Sequence, residues 1–392
     1  MTFKDRFGQV PPGVRDLLPV EAGAKREIEK KFAELVHSWG YLEVSTPLYE
    51  YYENSLVKES SQEAKIFKFL DRNGHLLALR PDMTLPIARL AATRLKDTPL
   101  PLRLFYTGHA FIYESPQAGR QREFYQAGVE ILGDNSADAD AETVILAVKA
   151  IMAAGIKEFQ ISLGHVGIFH GLAADLGLPT EQVEELKTAI GNKDFVLLRE
   201  LLSRFNITPT DQSRMLKVLN LRGGAKVLTE ARQLAGSGQA QSALNNLEEI
   251  FTVLKAYEVD SHVTLDFGLL RKLDYYTGLV FEGYTGSLGF PLCGGGRYNN
   301  LAGQFGRDLP ATGFALGVDK VMLVLERQGD LNREVRCDYL IRYARENRAE
   351  AAKQASQLRA AGYIVTAEVI GSQDHGKASD SGVPAKNTIV LI

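Results

Sequence analysis

The chain has 392 residues, 45% of them hydrophobic and 24% charged, with a formal net charge of −3. It is too long for one ordinary core, so two or three globular domains are expected, and the charge does not point to a nucleic-acid coat, although a local basic patch stays open. Cys293 and Cys337 are the only cysteines, which gives no zinc site, and the absence of a long apolar run or an apolar N-terminal segment makes a cytoplasmic protein without a membrane span the expectation.

PPGVRDLLP (Pro11–Pro19) predicts an extended lead-in. Between Glu21 and Gly40 the apolar residues Ile28, Phe32, Leu35, Val36 and Trp39 recur at helical spacing, and Gly40 is a natural stop. YLEVSTPLYEYYE predicts a strand, and KIFKFLDRNGHLLALRPDMT a hairpin about Asn73-Gly74. TLPIARLAATRLK reads as a helix. LRLFYTGHAFIYES and REFYQAGVEILG form a second hairpin, followed by the acid-capped helix DADAETVILAVKAIMAAG and the strand EFQISLG. From His165 to about Tyr257 four amphipathic helices follow: LPTEQVEELKTAIG, DFVLLRELLSRF, TPTDQSRMLKVLNL and AQSALNNLEEIFTVLKAY. Strands return with VTLDFGLL, YYTGLVFEGYTG and PLCGGGRYNNLAG, and a helix is expected to start near Gly313. The tail reads strand (CDYLIRYA), helix (Ala349–Ala361), strand (YIVTAEVI), a Ser/Gly/Asp-rich loop and a last strand, NTIVLI. There is no internal repeat. The order predicts an α+β fold: an antiparallel sheet flanked by helices over 1–325, a helical insertion at about 165–257, and a small α/β C-terminal domain over 336–392. GGGR at 294–297 is not GxGxxG, and nothing matches a P-loop.

Three segments hold residues suited to chemistry. Along REFYQAGVE, Phe124, Gln126, Gly128 and Glu130 share one strand face. An amide and a carboxylate beside a glycine gap suit an ammonium or an imidazole N–H; a solvated strand face is the plainer alternative. LALRPDMT brings Arg80, Asp82 and Thr84 to a strand end, where binding groups collect but where an Asx turn and a helix cap also belong. LLRKLDYYTG supplies Arg271, Asp274, Tyr275 and Tyr276: a planar fork for a carboxylate or phosphate, and aromatic faces that elsewhere are core. His165 and His170 have no third ligand in view, so no metal is expected, and no nucleophile–base arrangement stands out.

Together these segments resemble the catalytic core of the histidyl-tRNA synthetases, class II aminoacyl-tRNA synthetases, from roughly Pro11 to Leu325. GYLEVSTPLYEYYE is similar to the first class motif, which builds a dimer interface. FIYESPQAGRQREFYQAGVEILG is similar to the second and GFALGVDKVM to the third. LLRKLDYYTG and CGGGRYNNL are similar to the two histidine-specific motifs. The resemblance implies a class II synthetase-like antiparallel sheet with a helical insertion. It also implies a histidine pocket at Asp82 (glutamate in the synthetases), Thr84, Gln126, Glu130, Arg271, Tyr275 and Tyr276.

The departures bear on activity. Ile112 stands where the second motif carries the arginine that grips the α-phosphate of ATP. Val318, Asp319 and Lys320 replace the end of the third motif, so a lysine takes the place of its arginine. Isoleucine donates no hydrogen bond, and lysine lacks the guanidinium fork. At about 1.5–3 kcal/mol per charge-assisted hydrogen bond, the loss is on the order of 4 kcal/mol, roughly a thousandfold in rate. The tail is also little more than half an anticodon-binding domain. These features resemble the synthetase-like regulatory subunits of ATP phosphoribosyltransferase. That resemblance implies a non-catalytic homodimer without cofactor, in a hetero-oligomer with the short-form catalytic subunit and with histidine as effector; tRNA is not expected. Two alternatives stay open: an active synthetase or related adenylating enzyme, and a binding module for tRNA or a protein. For the last, Arg336, Arg342, Arg345, Arg348 and Lys353 in the tail are offset by Glu346, Glu350 and Glu368.

Overall fold

The computed structural model describes residues 7–56, 63–114, 121–236, 238–270, 275–331, 337–370 and 385–392. The chain divides into two compact units, residues 1–16 with 25–330 and residues 17–24 with 331–392.

The larger unit is built on a nine-stranded sheet. In chain order it holds α1 (Pro19–His37) from residue 25 onward, β1 (Leu42–Glu43), β2 (Tyr49–Tyr51), β3 (Lys68–Leu70), β4 (Leu76–Leu79), α2 (Thr84–Thr93), β5 (Leu102–Phe111), β6 (Glu123–Leu132), α3 (Ala137–Ala153) and β7 (Gln160–His165). Six helices follow: α4 (Val166–Asp175), α5 (Thr180–Gly191), α6 (Phe195–Arg204), α7 (Pro209–Leu219), α8 (Lys226–Leu234) and α9 (Gln239–Ala256), with β8 (Arg222–Gly223) between α7 and α8. β9 (Val263–Asp266), β10 (Leu279–Tyr284), β11 (Cys293–Arg297), β12 (Ala311–Gly317) and α10 (Val318–Gln328) complete it. The strand order is β1-β5-β6-β12-β11-β10-β7-β9-β8. Its centre is antiparallel, while β1 with β5 and β7 with β9 are parallel pairs.

The alternation of β5 and β6 decides what lies on each face. Phe105 and Phe314 meet Phe32 of α1 edge-on, with ring centroids at 6.4 and 6.3 Å. Leu104 and Tyr106 join Met83, Leu85, Ile87 and Ala88 from the start of α2 in a buried cluster on the other face. Burying each of the larger apolar side chains contributes roughly 1.5–3 kcal/mol. Glu130 is paired with Leu104 and Gly128 with Tyr106, so these β6 residues share the α2 face.

Three expectations change. YLEVSTPLYEYYE is not one strand: it breaks into β1, paired with β5, and β2, paired with β4. The break falls at Thr46–Pro47, where proline offers no ladder donor. Arg80, 4% exposed, takes up the stranded carbonyls: it donates to Thr46 O at 2.7 Å, Pro47 O at 3.2 Å and His109 O at 2.6 Å. Its role is structural. Gly313 does not start a helix. Gly313 to Gly317 belong to β12, hydrogen-bonded on both sides, and α10 begins at Val318. A central strand is covered on both faces, so its apolar run has no alternation to read. Finally, α4 and α8 add to the four helices expected between His165 and Tyr257; α4 (VGIFHGLAAD) is apolar almost all round and shows no helical stripe.

The smaller unit holds β13 (Cys337–Tyr343), α11 (Arg348–Ala360), β14 (Val365–Val369) and β15 (Ala385–Leu391). Its strands are parallel, in the order β14-β13-β15. Ile341, Val365, Ala351 and Ala355 form its core. Among the described residues no helix is long and apolar enough to cross a membrane.

Candidate functional site

A cavity of about 130 Å³ opens on the α2 face of the sheet, lined by β6, β11, β12, the first turns of α2 and α10, and residues that precede β10 and flank β11. At roughly 10–15 Å³ per water it has room for a ligand the size of an amino acid. Asp82, Thr84, Gln126, Glu130, Tyr275 and Tyr276 all line it. Arg271, the seventh candidate, lies outside the described residues, as does Asp274.

Glu130 is the centre of the site. It is 1% exposed. Thr84 Oγ1 donates to its Oε1 at 3.0 Å, Tyr106 reaches the same oxygen at 3.5 Å, and the Tyr298 hydroxyl donates to Oε2. Burial raises its pKa to about 8, against the hydroxyl donors that pull it back down; the charge of Asp82 raises it further. Asp82 is likewise raised by burial. It also accepts from the Leu85 amide at 3.0 Å, so it is both a cap of α2 and a wall residue.

The backbone makes room for this arrangement. Gly313 of β12 is the register partner of Glu130, and a Cβ there would run into Glu130 Oε2 and the Val129 carbonyl. Gly296, at φ +153°, lies against the Tyr276 ring and the Leu279 carbonyl with no space for a side chain. Over this glycine floor stand the aromatic walls: Tyr275 and Tyr276 at 4.9 Å between centroids, Tyr275 and Tyr298 at 5.9 Å.

Farther along β6, Gln126 is paired with Gly317. Its buried Oε1 has no hydrogen-bond partner, one of three such side-chain atoms among the described residues. Lys320 also lines the cavity, its Nζ donating to Pro291 O at 2.7 Å and its stem passing close to Gly317. Gln126 and Glu130 stand four steps apart along the strand, about 14 Å at 3.4 Å per residue. The cavity therefore carries acids at one end and an unpaired acceptor beside a cation at the other.

The sequence reading treated Lys320 only as a replacement and did not single out Tyr298. The tyrosine of CGGGRYNNL, one residue past a strand end, was the available signal. Ile112 lies outside the cavity wall, its amide donating to Arg122 O at 2.9 Å. Arg297 of the same glycine-rich segment faces away: Nε bonds both Asp140 carboxylate oxygens at 3.0 Å, tying β11 to α3. His165 caps α4 by accepting from the Gly167 amide at 3.0 Å, and burial pushes its pKa down to about 4. No group of three His, Cys, Asp or Glu among the described residues would hold a metal.

Residues 13–321 match the family model described as histidyl-tRNA synthetase. An ATP phosphoribosyltransferase regulatory subunit of Desulforamulus reducens is 53% identical over 92% of this chain and 90% of its own. The protein of the same name from Moorella thermoacetica is 42% identical over 91% of each. Among solved structures, an ATP phosphoribosyltransferase regulatory subunit/histidyl-tRNA synthetase from Bacillus halodurans C superposes with a TM-score of 0.88 at 35% identity, covering 98% of both chains.

Proposed function

The chain belongs to the family of ATP phosphoribosyltransferase regulatory subunits, carried on a histidyl-tRNA synthetase fold, and on that premise we propose that it senses histidine in the cavity beside β6 and passes the signal to a short-form catalytic subunit. The observation that carries this reading is the set of polar groups in one cavity: the Glu130 carboxyl cradled by Thr84 and Tyr298, and the partnerless Oε1 of Gln126. A buried acceptor without a donor costs about 1–3 kcal/mol. A ligand amine or ring N–H supplies that donor, and the ammonium of Lys320 on the same wall suits a ligand carboxylate.

Two positions, one on this wall and one outside it, support a role without adenylation. Lys320 is a point charge committed in part to Pro291 O, and Ile112 contributes no cation at the end of β5. Binding without chemistry fits a subunit that controls activity residing in its partner. A homodimer through the first class motif, within a hetero-oligomer, is part of the same proposal.

The test combines this chain with a short-form catalytic subunit and follows phosphoribosyl-ATP formation with and without histidine. Activity that needs both chains, is inhibited by histidine, and loses inhibition in Gln126→Ala supports the reading. Undiminished inhibition in Gln126→Ala places the sensor elsewhere. Histidine-dependent pyrophosphate exchange at an enzymatic rate by this chain alone makes it a synthetase.

A further inference from the structure

The Glu130 carboxyl offers about four lone-pair positions when ionised. Thr84 and Tyr298 occupy one on each oxygen, and Tyr106 approaches a third from 3.5 Å. One position remains for the acid's own proton or for a ligand donor. The groups around it come from every neighbouring element: Asp82 and Thr84 at the start of α2, Tyr106 on β5, Tyr298 after β11, and Tyr275 and Tyr276 before β10. Tyr41, after α1, also feels the charge of Glu130. Among the described residues, the charge that acts on Glu130 is that of another acid, Asp82, and it raises the carboxyl's pKa further. With Glu130 1% exposed, its ionisation with no ligand present leaves a buried anion beside an acid.

We propose that Glu130 meets its ligand as a carboxylic acid, and that one proton shared between the carboxyl and a ligand heterocycle holds the two together. This rests on reading the cavity as a histidine pocket, and it adds how imidazole is preferred. Imidazole both takes and gives a proton near neutral pH. When neutral ligand enters, the proton of Glu130 passes to or is shared with the ring nitrogen, so no proton goes to solvent. A permanent cation such as the side chain of lysine or arginine must first drive that proton off. Tyr298 is the positioning residue: by occupying Oε2 it leaves the carboxyl a single opening.

The proton balance fixes the pH profile. Below about pH 6.5 free imidazole is already protonated, and binding releases a proton. Above about pH 8 empty Glu130 is ionised, and binding takes one up. Affinity therefore has a plateau between those values and falls up to tenfold per pH unit on either side.

Calorimetric titration of histidine into the full chain from pH 5.5 to 9.5, in buffers of different ionisation enthalpy, reads this directly. Support requires the plateau, near-zero proton exchange at pH 7–7.5, and loss of the alkaline limb near pH 8 in Glu130→Gln. That variant separates Glu130 from the ligand's own amine. Tyr298→Phe should move the alkaline limb upward by a measurable fraction of a pH unit, because a donor to the ionised form is lost. Affinity that increases steadily through pH 9 overturns the shared proton while leaving the histidine pocket standing. No binding at any pH overturns both. Carbon-13 NMR of the carboxyl in the ligand-free chain, assigned by its absence in Glu130→Gln, is independent of any ligand; a midpoint below pH 5 also overturns the proposal.

Discussion

Glu130 ties local structure to measurable stability. Its pKa stands above the unfolded value of 4.5, at about 8. The folded state therefore binds more protons than the unfolded state between those limits. The sign follows: the contribution of this residue to stability is fully present below pH 4.5 and is lost as pH rises through 8. The slope approaches one proton, about 1.4 kcal/mol per pH unit at most. Glu130→Gln should flatten this part of the stability curve, as seen by urea unfolding at pH 5, 6.5 and 8; an unchanged slope would show that Glu130 is ionised throughout. The neighbouring prediction concerns Gly313→Ala. Its methyl group has no place opposite Glu130 Oε2, so a loss of about 1–3 kcal/mol and of histidine affinity is expected in the same melts and by calorimetry. Much of this site was legible beforehand, because strand alternation alone puts Gln126 and Glu130 on one face. What alternation did not show was that Tyr298 reaches Glu130 from a segment 168 residues away. Such a contact is set by tertiary packing.

At the scale of elements, β11 is held in place from behind. Arg297, with a side chain 7% exposed, pairs with Asp140, 1% exposed, and also donates to Asp134 O and Ser136 O. Asp140→Ala leaves that guanidinium buried without its counter-charge, which typically costs about 3–5 kcal/mol. Urea unfolding should show that loss, and the site should loosen with it, since Gly294 of the same strand lines the cavity. A loss below about 1 kcal/mol would mean the carbonyl partners suffice. Elements were legible where a period or a turn residue marked them. The Asn73-Gly74 hairpin is one such case: Asp71 accepts from the amides of Asn73 and His75, both at 2.8 Å. They were illegible where burial erased the period. The run of β12 predicts the start of a helix, and α4 offers no stripe to predict one, for that one reason.

For the whole molecule, the proposed regulation by histidine requires that histidine and the substrates of the catalytic partner act on one equilibrium. Coupling of about 1–3 kcal/mol corresponds to a shift of 5–150-fold in affinity, and it is reciprocal. Histidine bound to the assembled complex should weaken on addition of ATP and phosphoribosyl diphosphate by the same factor by which it weakens them. Titration in both directions checks this, and a factor of one in both directions would separate the histidine site from the regulatory equilibrium. The class of fold was readable from element order, and the family from motif order. The division into units was less so, because residues 17–24 group with 331–392 although α1 continues without a break to His37. Finally, part of the cavity's lining is bare main chain. Gly294 and Gly313 present no side chain that mutation can trim or recolour, and the register of β11 with β12 fixes where their peptide groups stand. A lineage exploring new effectors on this scaffold must therefore do so from the walls, one tyrosine, amide or acid at a time, while the surface beneath stays the same.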